Sequence, residues 1–288
     1  MATAISIKNV SKTFGAKRAL DNVSLDVTKG HIFGFLGPNG AGKTTMIRCL
    51  MDYIHVSGGH MSLLGHDSHV DGPLLKSQVG YLSSDMQLHS GWTAKMHIDF
   101  MGGIKGNGQA DELVKKFNLD IGTKVSKLSS GNKQKLAIIL AFLGNPKLLI
   151  MDEPTRGLDP LLQNQLYQLL REFSTAGGTV FLSSHNLGEV QQLCDSVAVI
   201  KEGKIVATEA MKDILQMSVH MIQAVATTTI DRADFRVEGV EIIGGSGKSI
   251  SLKTHGKLDF IVKTLSKYSL TNLEISHVNL EDVFMEYY

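Results

Sequence analysis

Between positions 37 and 45 the chain reads Gly37-Pro38-Asn39-Gly40-Ala41-Gly42-Lys43-Thr44-Thr45. Glycines let a backbone curl until successive N–H groups point at one anion, and a helix opening at the end of such a loop adds the positive end of its dipole. In the spacing Gly37-x-x-x-x-Gly42-Lys43-Thr44, the lysine can reach the β- and γ-phosphates of a nucleotide, and the Thr44 hydroxyl can serve as a Mg²⁺ ligand. A second pair of groups, Asp152 and Glu153, closes an apolar run. A carboxylate at a strand end holds Mg²⁺ directly or through water. The next carboxylate, turned to the other face of the strand, is the natural candidate to polarise an attacking water. Together these residue types can transfer a terminal phosphoryl group to water, with ATP and Mg²⁺ as the bound species.

The elements around these groups have the order that the chemistry needs. His31-Ile-Phe-Gly-Phe-Leu36 reads as a buried strand entering the glycine loop, and Met46, Ile47, Leu50, Met51 and Ile54 follow at helical spacing. Lys147-Leu-Leu-Ile-Met151 is a second buried strand, running into Asp152. Ile5, Ile7 and Val23, Leu25, Val27 alternate with polar residues as half-buried antiparallel strands do. Val79–Leu82 and Thr179–Leu182 read as further strands, the latter ending at Ser183-Ser184-His185. From about Met86 to Leu143 the pattern is mostly helical, with a loop at Gly102 to Gly108. Asp159-Pro160 has the chemistry of a helix cap followed by proline in the first turn, and Leu162, Leu166, Leu169, Leu170 and Phe173 mark one face of that helix. Glu202-Gly203 predicts a hairpin. Strands alternating with helices imply a largely parallel α/β sheet.

The composition shifts near Met217. Beyond it the pattern predicts a strand (219–226), a short helix (231–236), two strands (240–244, 249–254), a helix (257–267) and a strand (270–277), the order of a small ferredoxin-like α+β unit. A short helix from Leu280 to Tyr288 closes the chain. The expected domains are therefore 1–216 and 217–288. Gly244-Gly-Ser-Gly-Lys248 looks like a second phosphate loop, but it lacks the two-glycine spacing and a following helix, and it reads as a hairpin turn.

Leu128-Ser129-Ser130-Gly131-Asn132-Lys133-Gln134 resembles the LSGGQ signature of ABC ATPases. Gly157-Leu158-Asp159 resembles their D-loop and His185 their switch histidine. Phe14, in Lys12-Thr-Phe-Gly15, stands where these proteins place an aromatic ring against adenine. The glycine loop and the Asp152–Glu153 pair match their Walker A and Walker B motifs. Alone, His185 reads as a helix-capping histidine and Phe14 as a core residue; it is the shared order of the landmarks over residues 5–207 that makes the resemblance specific. The resemblance implies a P-loop cassette of α/β class: a mostly parallel sheet, an antiparallel β subdomain, a helical subdomain over about 86–145 and the small α+β C-terminal domain. It implies catalytic roles for Lys43, Glu153 and His185, and it adds Asp159 to the nucleotide-binding residues.

In the family the signature caps the γ-phosphate held by a second subunit, in a head-to-tail dimer with two ATP molecules at the interface. Ser129, Ser130 and Gly131 precede a helix whose expected apolar face is Leu136, Ile139, Leu140 and Leu143, and a helix start with a serine and free N–H groups is an anion site. Ser130 and Asn132 replace the usual glycine and glutamine. A larger departure is the Q-loop, where Gly80-Tyr-Leu-Ser-Ser-Asp-Met86 carries Ser84 at the position of the family's glutamine. Either Ser84 holds the metal weakly, or Asp85 takes the role, or the contact is lost. Ile275-Ser-His-Val-Asn-Leu-Glu-Asp-Val-Phe284 resembles the C-terminal extension of bacterial ABC subunits that energise export of drugs and antibiotic peptides. The implied partners are a second ATPase subunit, expected to be a second copy of this chain, and a separate multi-span membrane protein. The implied location is the cytoplasmic face of the membrane.

Composition narrows the rivals. Lys+Arg and Asp+Glu number 29 and 28, a net charge of +1, so no basic stripe argues for nucleic acid as partner. Two cysteines, Cys49 and Cys194, exclude a disulfide framework and a four-cysteine zinc site. No apolar run approaches the roughly 20 residues of a membrane span, and the N-terminus lacks the pattern of a secretory signal. A single uninterrupted cassette disfavours translation-factor and DNA-repair ABC ATPases. A cassette that binds ATP only as a structural switch is opposed by Lys43, Asp152, Glu153 and His185, and kept open by Ser84.

Overall fold

Alternating apolar residues build the first sheet. The computed structural model describes residues 2–216 and 219–277. β1 (Thr3–Phe14) and β2 (Lys17–Thr28) pair antiparallel, with Ile5, Ile7, Val10, Val23, Leu25 and Val27 all buried. β3 (Ile32–Leu36) is buried along its whole length and runs into the glycine loop. α1 (Lys43–Leu50) opens at the end of that loop. It stops at Leu50, so Met51 and Ile54 of the expected helical stripe lie beyond it; Met51 and Asp52 close the helix in a turn. β4 (Gly58–Leu63) and β5 (His66–Asp67) complete an antiparallel sheet of order β2-β1-β4-β5. α2 (Gly72–Gln78) leads into β6 (Val79–Leu82).

The segment 86–143 is less helical than its composition predicts. α3 (Ala94–Lys105) starts only after Thr93, whose hydroxyl accepts the Met96 N–H. Gly102 lies inside this helix rather than in a loop, and Gly106 ends it at φ +90°. α4 (Ala110–Lys116) is short. After it the Asp120 carboxylate accepts the Gly122 N–H and the Thr123 hydroxyl, and this local bonding competes with helix. α5 (Ser130–Ala141) is buried on all sides from Leu136 onward, so the single apolar face expected there is a full apolar half-helix. It lies close against β6, where a Cβ on Gly80 would come within 2.0 Å of the Ala141 carbonyl oxygen.

β7 (Leu148–Asp152), α6 (Pro160–Thr175), β8 (Thr179–Ser184), α7 (Leu187–Leu193), β9 (Ser196–Lys201) and β10 (Lys204–Ala210) follow. The second sheet has the order β10-β9-β3-β8-β7-β6; it is parallel except for β10, which forms the expected hairpin with β9. β3, β7 and β8 are buried throughout, which is why they read as continuous apolar runs. The register sets Leu36 beside Ser184 and Asp152 beside Ser183, so three strands deliver their C-terminal ends to one edge. In open parallel sheets ligands bind at that edge. Phe33, Phe35, Met46, Ile47 and Phe181 pack with Ile7, Val27 and Leu63 in the core beneath.

The chain divides into two compact units, Met1–Ala210 and Met211–Tyr288. The second contains α8 (Met211–Gln216), β11 (Val219–Ala226), β12 (Val240–Gly244), β13 (Ser249–His255), α9 (Leu258–Leu265) and β14 (Leu270–His277). Its sheet is antiparallel with order β12-β13-β11-β14, the ferredoxin-like order, although the first connecting helix is only a turn of 3₁₀ helix at Arg232–Phe235. Ile222, Phe235, Ile250, Leu252, Ile261 and Leu265 form its own core. The Gly244–Lys248 stretch joins β12 to β13 with Gly245 at φ +97°, a hairpin turn as expected. The helix expected at 280–288 and the end of the 275–284 motif lie outside the described residues. Among the described residues no helix is long and apolar enough to cross a membrane.

Candidate active site

The glycines of the loop are required by space and by backbone angle. A Cβ on Gly37 would sit 2.3 Å from the Ile200 carbonyl oxygen, and Gly42, at φ +114°, would meet the Ala19 carbonyl oxygen at 2.7 Å. Gly40 takes φ +83°. Gly42 caps α1 without a side-chain bond, which leaves the first N–H groups of that helix to face the loop. Phe14, Lys17, Asn39, Gly40, Gly42, Lys43, Thr44, Thr45 and Glu153 line a cleft of about 270 Å³. Gly37, Pro38 and Ala41, in the same loop, are not among its lining residues: Ala41 is buried, its N–H bonding the Pro38 carbonyl. Phe14 is no core residue. It is 48% exposed at the rim of the cleft, with the Lys12 ammonium 5.0 Å from its ring centre.

Three hydroxyls converge on Asp152, which is fully buried at the end of β7. Thr44 Oγ1 donates to Oδ2 at 2.9 Å, Ser84 Oγ donates to the same oxygen at 3.0 Å, and Ser183 Oγ donates to Oδ1 at 2.5 Å. All are hard oxygen donors, the ligand class of Mg²⁺. Octahedral legs of about 2.1 Å place adjacent ligands about 3 Å apart, close to the spacing of Thr44, Asp152 and Ser84. This corner fits the ion that the sequence implies.

Lys43 is buried at the mouth of the loop. Its ammonium donates to the carbonyl oxygens of Gly37 at 2.7 Å and Pro38 at 3.1 Å, and lies 3.8 Å from Glu153 Oε1. Burial pulls its pKa below the usual lysine value, while the carboxylates of Glu153 and Asp152 oppose that shift. Glu153 lies just past the end of β7 with φ +49°, so a left-handed turn aims its carboxylate, not the strand alternation expected from sequence. The Ser183 carbonyl and hydroxyl both accept the Glu153 N–H, which fixes that turn. His185 Nδ1 is 3.0 Å from Glu153 Oε1. A carboxylate held between an ammonium and an imidazole beside a phosphate cleft can orient a water and take its proton.

The signature stands apart from this cleft. Ser129 caps α5 by accepting the Asn132 N–H, with Ser130 and Gly131 in the first turn, and none of the three lines the cleft. Asp159 caps α6 by accepting the Leu162 N–H. Asp85 is exposed and pairs at 4.0 Å with Arg156, whereas its neighbour Ser84 is the one bonded to Asp152. Two contributors escaped the sequence reading. Ser183 holds both Asp152 and the Glu153 turn; its place just before His185 was visible, but its partners depend on strand register. Gln134 donates to the Pro154 carbonyl at 2.9 Å, tying the signature helix to the Walker B turn.

A model of the ABC transporter family matches residues 20–156. The chain is 35% identical to the uncharacterized ABC transporter ATP-binding protein YcbN of Bacillus subtilis (strain 168), over 83% of this chain and 79% of that protein. It is also 35% identical to the bacitracin transport ATP-binding protein BcrA of Bacillus licheniformis, over 71% of this chain and 69% of the relative. Among solved structures, an ATP binding subunit of an ABC transporter superposes with TM-score 0.68 at 30% identity, over 73% of this chain and 91% of that one. The dimeric bacterial cassette MJ0796 superposes with TM-score 0.67 at 25% identity, over 72% and 98%. The fold is thus that of an ABC ATPase cassette. The chain belongs to the ABC transporter family as an ATP-binding subunit, an ATPase that serves transport.

Proposed function

We propose that this chain binds ATP with Mg²⁺ in the cleft between Phe14 and Glu153, pairs head to tail with a second copy, and drives a separate membrane-spanning exporter from the cytoplasmic face of the membrane. The observation that carries the proposal is the single row of strand ends where the phosphate loop, Asp152, Glu153 and His185 meet. Lys43 turns from the Gly37 and Pro38 carbonyls to the outer phosphates. Thr44, Asp152 and Ser84 would hold Mg²⁺, which neutralises charge on the transferred group. Glu153, kept in place by His185, orients a water against the γ-phosphorus and accepts its proton. The bond from that phosphorus to the bridging oxygen breaks, leaving ADP and orthophosphate. Phe14 offers its exposed face to adenine.

The signature residues supply an anion site at a helix start that their own cleft does not use, which supports a partner's γ-phosphate as their ligand. The dimeric MJ0796 cassette supports the same pairing. A membrane partner is supported by α3, whose Met96, Phe100 and Ile104 are exposed at helical spacing. Export is supported by the C-terminal motif, and a role in transport by the bacitracin transport relative. Glu153→Gln tests the reading: ATP binding is kept, turnover nearly vanishes, and an ATP-bound dimer accumulates in size-exclusion chromatography. Retention of more than about a tenth of kcat, a loss under about 1.4 kcal/mol, overturns the role of Glu153.

A further inference from the structure

Away from the phosphate cleft, two imidazoles from two separate connections meet on one carboxylate. Asp52 follows the last turn of α1 at φ +55°, with its N–H bonded to the Cys49 carbonyl. His55 lies on the chain entering β4, and His55 Nδ1 is 3.1 Å from Asp52 Oδ1. His69 lies on the connection from β5 to α2, and its Nδ1 is 3.1 Å from both Asp52 oxygens. The two rings stand edge to face, 4.5 Å between centres. All three ligand atoms fall within 4.8 Å of one another, at a recess of about 250 Å³ that opens to solvent. We propose that Asp52, His55 and His69 form a binding site for a divalent transition-metal ion of the zinc class.

The chemistry follows from the donor set. Tetrahedral zinc with legs of about 2.0–2.1 Å holds its ligand atoms about 3.3–3.4 Å apart. The observed imidazole–carboxylate distances of 3.1 Å need only a few tenths of an ångström to reach that geometry. Each ring turns Nδ1 toward the carboxylate, so without an ion each donates a proton there, and an ion replaces those protons. Two nitrogens and one carboxylate suit Zn²⁺, Co²⁺ or Ni²⁺, whereas Mg²⁺ prefers the all-oxygen corner at Asp152. The ligand loops are braced. Asp67 Oδ1 accepts the N–H groups of His69 and Val70 at 2.8 Å each, and these bonds, that of Val70 first, hold the Asp67 carboxyl below its usual pKa. The Lys12 ammonium donates to the His55 carbonyl at 2.6 Å. A bound ion would pin the far end of α1, the helix that opens the phosphate loop, to the chain on either side of β4 and β5.

The test uses the full chain without an affinity tag, free of nucleotide and in excess Mg²⁺. Calorimetric titration with Zn²⁺ is expected to show one saturable site per chain, and Co²⁺ to give the intense visible absorption of a four-coordinate ion. His55→Ala and His69→Ala, both at exposed rings, are each expected to weaken Zn²⁺ binding by more than the roughly 10- to 100-fold that outer-shell changes cost. His66→Ala, outside the cluster, is expected to bind as the unaltered chain does. Zn²⁺ should raise the melting temperature of the unaltered chain and leave that of the two variants in place. Should a histidine variant melt without cooperativity, Asp52→Asn keeps the side-chain shape while removing the charged ligand, and it is expected to show the same loss. Absence of saturable Zn²⁺ binding to the unaltered chain overturns the proposal, as does undiminished binding in both histidine variants.

Discussion

The six-stranded sheet of the first unit and the sheet of the second unit use similar materials to different ends. In the six-stranded sheet, β3, β7 and β8 run the same way and finish together, so the glycine loop, Asp152 and Ser183 are neighbours. In the four-stranded sheet of the second unit every pair is antiparallel, and each edge mixes strand starts with strand ends. Its polar side chains are spent on local joints: Thr254 on the Gly239 carbonyl, Tyr268 on Asp234. Even its glycine-lysine stretch, Gly244 to Lys248, closes a hairpin and has no helix start behind it. The lesson is that glycine and lysine bind phosphate only where topology supplies converging N–H groups and a helix dipole.

The sharpest way to break that comparison is at Lys43. Lys43→Ala removes a charged donor from a loop otherwise made of neutral N–H groups. A hydrogen bond to a charged group contributes about 1.5–3 kcal/mol, so ATP affinity should fall roughly 10- to 150-fold. Calorimetry on both proteins measures it, and equal affinities would remove Lys43 from the phosphate site. Lys248→Ala in the hairpin of the second unit should leave ATP affinity unchanged.

How much of this was legible in sequence depends on how local each feature is. The glycine loop, the Asp159 cap and the buried strands declare themselves within a few residues, because spacing, capping chemistry and continuous apolar runs are local. The convergence on Asp152 is not local. Ser84 is marked in sequence only by its place in the Q-loop, and Ser183 is a serine like any other, until strand register sets both against one carboxylate. The aim of Glu153 depends on a positive φ that no side-chain pattern announces. The segment 86–143 is less helical than its apolar composition implies, because composition does not reveal the Asp120 turn or the late start of α3 after Thr93.

The Q-loop departure offers a finer cut within the parallel sheet. Ser84 Oγ bonds Asp152 Oδ2, while Asp85 faces Arg156 in solvent. Ser84→Ala should therefore raise the Mg²⁺ concentration for half-maximal ATPase activity by about the fivefold that one net hydrogen bond of roughly 1 kcal/mol allows, and Asp85→Ala should change it little. Ser84→Gln, with a longer arm, should lower that requirement or raise basal turnover. If Asp85→Ala carries the larger effect, the carboxylate reaches the metal through water when the loop closes. If none of the three substitutions changes the Mg²⁺ dependence, the loop does not touch the metal.

The smallest expected effect tests the comparison from its other side. If nucleotide chemistry belongs wholly to the first unit, a chain ended after Ala210 should bind ATP with unchanged affinity, since every residue lining the phosphate cleft lies before that point. The second unit has its own core from Ile222 to Leu265. Circular dichroism establishes that the shortened chain is folded, and calorimetry then reads its ATP affinity. A folded chain that has lost ATP binding would place part of the nucleotide site in the second unit, and the division of labour between the two sheets would be wrong. A chain that binds ATP equally but no longer forms the ATP-dependent dimer would assign the antiparallel unit to the pairing of subunits.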